Sequence, residues 1–65
     1  MAEQWAVETA DSLKRSREAF QTDLSAVRAA GADENSWGVR QLVRIVTEID
    51  VALAEGARLY GIDPR

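Results

Sequence analysis

The stretch Leu24-Ser25-Ala26-Val27-Arg28-Ala29-Ala30-Gly31-Ala32-Asp33-Glu34-Asn35-Ser36-Trp37-Gly38-Val39 joins two apolar patterns through a run of turn-forming residues. Gly31 can take the left-handed backbone conformation that closes a helix. Asp33, Asn35 and Ser36 can each accept from the free N–H groups that open the next helix, and any of the three is a competent cap. Going back from this stretch, Val27, Leu24, Phe20, Arg17, Leu13, Ala10 and Ala6 recur at alternating steps of three and four. Going forward, Val39, Leu42, Val46, Ile49, Leu53, Gly56 and Tyr60 keep the same rhythm, with Val43, Ile45 and Ala57 beside them. This is the pattern of two helices that each bury one stripe.

The expected fold is therefore all-α: one domain over residues 1–65, with a first helix over about 3–30, a turn at 31–36 and a second helix over about 37–60. Gly61 follows the last periodic residue, apolar Ile62 comes next as in a Schellman motif, and Pro64 stops any continuation. A link this short makes the helices antiparallel neighbours. Folding about the middle of the turn places residues opposite one another when their numbers sum to about 67. Leu24 then meets Leu42, Phe20 meets Val46 and Leu13 meets Leu53.

The same register sets Arg17 against Asp50, and each lies roughly 40° from the centre of its stripe. They are expected as a buried polar pair that fixes register or oligomer state, with side chains reaching out to water as the alternative. Ile45, Ala52 and Leu59 form a flank beyond the main stripe, and one partner helix cannot cover it. Two hairpins packed into a four-helix bundle would, and closed two-fold dimers are the commonest oligomers. The residues expected in the core or the oligomer interface are Leu13, Phe20, Leu24, Leu42, Ile45, Val46, Ile49, Leu53 and Leu59.

The size of the chain points the same way. A domain of 65 residues buries too little surface to be more than marginally stable, and with no Cys and no His it has neither disulfides nor the usual transition-metal ligands as support. Association is the remaining common route. With 11 acidic and 8 basic residues, and a formal charge of −3, an attraction to nucleic acid is not expected. No export signal and no membrane-length apolar run are read, so the expected setting is the cytoplasm.

The residue types that carry chemistry are sparse. Lys14-Arg15-Ser16-Arg17 is a dense basic cluster, but Asp11 and Glu18 stand at ion-pair spacing from Arg15 and Lys14, which suits a solvated face. Asp11, Glu18, Glu48, Asp50 and Glu55 lack the His that di-iron helical bundles add to their carboxylates. No Ser or Thr has a candidate base, and no Gly-rich phosphate loop occurs. The expectation is a non-enzymatic chain without metal or cofactor.

Trp37 is the most informative side chain. Either residues 33–37 are not yet helical and Trp37 folds back over the hairpin end to cover Val27 and Val39, or it projects into solvent as an anchor for a partner. Trp37-Gly38 also resembles the Trp-x-Gly at the turn of the small helical-hairpin substrates of type VII secretion. Here the two residues are adjacent, and Tyr60 precedes Asp63 by three where that family's acid follows its Tyr by four. The functional expectation is a homodimeric interaction module that binds or regulates a partner protein. Its rivals are a small DNA-binding regulator or antitoxin, and an accessory subunit of a larger enzyme or secretion-type complex.

Overall fold

A computed structural model describes residues 2–65 as two α-helices, α1 (Gln4–Ala29) and α2 (Trp37–Tyr60), packed against each other as a hairpin. The hairpin is long and thin, with extents of 44 × 15 × 13 Å.

Local chemistry explains each boundary. At the end of α1, Gly31 has φ 90°, the Gly31 N–H donates to the Arg28 carbonyl (3.0 Å) and the Ala32 N–H donates to the Val27 carbonyl (3.1 Å). That pair of bonds is a Schellman motif, and only glycine enters it without steric cost. In the loop, Asp33 Oδ1 accepts from the Asn35 N–H (2.7 Å), and the Ser36 N–H donates to the Asp33 carbonyl (2.9 Å). Ser36 is the residue that caps α2: its backbone is extended and its Oγ accepts from the Val39 N–H. Asp33 and Asn35 shape the turn that delivers it.

The end of α2 differs from the motif expected there. Gly61 has φ 71° and its N–H donates to the Ala57 carbonyl (3.1 Å), the single bond of an αL cap. Ile62 is therefore not tied to the last turn. It turns inward and is 8% exposed, in one cluster with Ala6, Ala10, Ile49 and Leu53.

The reason lies in the small residues at this end of the seam. Ala6 and Ala10 of α1 face Gly56 and Ala57 of α2, and helices lined with so little side chain leave a gap between them. Ile62 fills it: a Cβ on Gly56 would stand 3.2 Å from Ile62 Cγ1 and 3.4 Å from Ile62 Cδ1. Towards the turn the seam closes on Leu24 and Val39, both buried. Val7, Leu13, Phe20, Ile45 and Ala57 are half-buried against the main cluster.

Removing a buried branched side chain costs its transfer energy plus the cavity left behind. Ile62→Ala is expected to destabilise the fold by about 2 kcal/mol, at the lower end of the range for such truncations. Val51→Ala, at an exposed position of α2, should stay within about 0.5 kcal/mol of the parent. Urea denaturation followed by helical circular dichroism checks both.

Candidate interaction surfaces

Residues of the hairpin fall into three places: a sealed side, an open side and the turn end. The sealed side carries the Arg17 and Asp50 pair. Arg17 Nη1 donates to Asp50 Oδ1 (3.1 Å) and to the Pro64 carbonyl (3.2 Å), so one guanidinium holds both the facing helix and the returning C-terminal segment.

This pair has the register expected for it, but it is not a buried pair. The Arg17 side chain is 21% exposed and that of Asp50 54% exposed, and no charged or polar residue among the described residues is buried. The physical reason is the narrowness of the hairpin. Two helices enclose only the centre of their shared stripe, so a carboxylate some 40° off that centre stays at the edge, where water and Arg17 both solvate it.

The open side is an apolar groove of about 210 Å³. Its walls are Trp5, Thr9 and Leu13 of α1 and Ala52, Leu59 and Tyr60 of α2, with Ile62 at one end, and Glu55 is its charged edge. Leu59 is 52% exposed and Trp5 is 50% exposed. Trp5 is nevertheless ordered by its neighbours: its ring meets Tyr60 edge-on at 4.7 Å between centroids, and its Nε1 donates to Glu3. The Thr9 hydroxyl donates to the Trp5 carbonyl (2.8 Å), so this polar group is satisfied inside its own helix.

The expected interface residues divide between the inside of one chain and this surface. Leu24, Ile49 and Leu53 are buried within the single hairpin, and Leu13, Phe20, Leu42, Ile45 and Val46 are half-buried along the seam. Leu59 and Ala52 remain exposed.

Trp37 lies at the turn end. It is already the first residue of α2 and is 79% exposed, so it does not fold back over Val27 and Val39. The Ser36 cap brings the helix start forward to Trp37 and, with it, the outward direction of the side chain. Nearby, Arg28 grips Glu34 with two bonds of 2.7 Å and 3.0 Å, and the hydrogen bond to Glu34 raises the Arg28 pKa further above its ordinary value. The pairs expected between Asp11 and Arg15 and between Lys14 and Glu18 are not closed: the ion pairs among the described residues are Arg17–Asp50, Arg28–Glu34 and Arg44–Glu48.

Among the described residues no helix is long and apolar enough to cross a membrane, and no group of three or more His, Cys, Asp or Glu is placed to hold a metal ion. Neither a protein-family model, a curated protein nor a solved structure matches the chain.

The sealed side makes a graded prediction. Asp50→Ala removes one exposed member of the pair and should cost no more than about 1 kcal/mol. Arg17→Ala loses both bonds and the packing of its stem, and should cost measurably more. Chemical denaturation of the two variants ranks them.

Proposed function

We propose that this chain is a non-enzymatic protein–protein interaction module of the cytoplasm, a hairpin that dimerises into a four-helix bundle and holds or regulates a partner protein. The observation that carries this reading is the open groove, where Leu59 and Trp5 stand half in water beside Ala52. A contiguous apolar surface on so small a molecule is an association surface in the ordinary case.

The accessible surface supports it. The hairpin exposes 4756 Å², against roughly 4,100 Å² for a compact monomer of the same mass. Trp37 is the anchor for the partner, since an aromatic ring held on a capped helix start loses little freedom on binding. The groove lies at the opposite end of the hairpin from the turn, where Trp37 stands.

Sedimentation analysis tests the dimer: the parent should run at twice the chain mass of 7.2 kDa, and Leu59→Asp at the mass of one chain. Trp37→Ala should leave both assembly and stability unchanged, within about 0.5 kcal/mol, while removing the partner from affinity isolates. A parent that sediments as a single chain at all concentrations would refute the dimer.

A further inference from the structure

We infer how the two copies stack: the two-fold axis runs parallel to the helices, so that α1 of each hairpin lies on α2 of the other. This rests on the dimer reading above and adds its orientation. The argument comes from the charges that border the open groove.

At about 100° per residue, Trp5, Thr9, Ser16 and Asp23 of α1 share the groove side of the hairpin with Ile45, Ala52 and Leu59 of α2. Arg17, Asp50 and the returning segment occupy the other side. The groove side of the hairpin, which measures 44 × 15 × 13 Å, is at most about 44 Å by 15 Å. Its footprint is of the order of the roughly 800 Å² that a standard interface takes from each partner.

Two hairpins placed face to face on these surfaces can be related by a two-fold axis along the helices or across them. With the axis along the helices every residue keeps its level, so residues opposite one another between copies again sum to about 67. Asp23 then comes level with Arg44 of the second copy. Arg15 comes level with Ala52 of the second copy, between Glu48 and Glu55. Leu59 enters beside Trp5 and Thr9. Opposite charges meet along the rim and apolar groups meet inside it.

An axis across the helices has the reverse effect. Centred on Ala52, so that Ile45 meets Leu59, it brings Glu48 to within one residue of the level of Glu55. Like charges so placed select against that arrangement.

The single chain leaves these groups available. Asp23, Arg15 and Glu55 form no ion pair among the described residues, and Arg44 holds only Glu48, at 3.1 Å on an exposed turn. Rim pairs of this kind contribute little to affinity, but they choose between two orientations that bury the same apolar surface.

The absence of Cys makes the orientation directly readable by disulfide formation, which requires Cβ atoms about 3.5 to 4.5 Å apart. Ser16→Cys and Ala52→Cys are made as separate chains, checked for parental helix content, and oxidised alone and mixed. The expected result is a mixed disulfide between the two variants as the main covalent product, with Ala52→Cys alone remaining uncrosslinked. Efficient self-crosslinking of Ala52→Cys, or no mixed product from chains that sediment as dimers, overturns the orientation and leaves the dimer standing. Chains that sediment as monomers before oxidation overturn the dimer itself.

Discussion

Ala6 and Ala10 of α1 and Gly56 of α2 leave a gap that neither helix can fill from its own stripe, and Ile62 closes it from beyond the end of α2. The rest of the hairpin depends on that insertion. It requires a left-handed residue directly after Tyr60 so that the chain can turn back, which Gly61 supplies. It also carries the following residues to the Arg17 side, where the Pro64 carbonyl accepts from the same guanidinium that holds Asp50. A third layer, only a few residues long, thus shields one side of a two-helix structure.

The other side has no such cover. A helix pair buries one strip on each member, and no second chain segment reaches the flank that runs through Ile45, Ala52 and Leu59. Burying a leucine-sized side chain is worth roughly 1.5 to 3 kcal/mol, a large fraction of the stability of any small domain. Leaving Leu59 and Trp5 half in water forgoes that gain, and the proposed second copy would recover it. The asymmetry between a sealed side and an open side therefore singles out the surface on which the proposed association rests, while Trp37 stands exposed at the turn.

Much of this was legible in the residues themselves. The three-and-four rhythm, the glycines at 31 and 61 and the short polar link specify two antiparallel helices, because periodicity and backbone freedom are local properties. The contact of Arg17 with Asp50 follows from the same register. Three features were not legible. The exposure of Asp50 is hidden from a helical wheel, which gives direction but not the width of what a partner helix covers. The exposure of Trp37 turned on which of three competent caps starts α2, and Ser36, the last of them, is the one used. The inward turn of Ile62 depends on the gap at Gly56, and that gap exists only once both helices are in register. The spacing of small residues at 6, 10, 56 and 57 was the available signal. It reads as close helix approach until a nearby apolar residue is found to occupy the space.

The central claim is that the open flank is covered by a second copy, so that folding and association are one process. The most direct measurement is the thermal midpoint of the parent chain across a dilution series spanning several orders of magnitude. The account predicts midpoints that rise steadily with concentration, as mass action requires when the folded state is a dimer. Equal midpoints at all concentrations would contradict it and would make the hairpin a self-sufficient monomer.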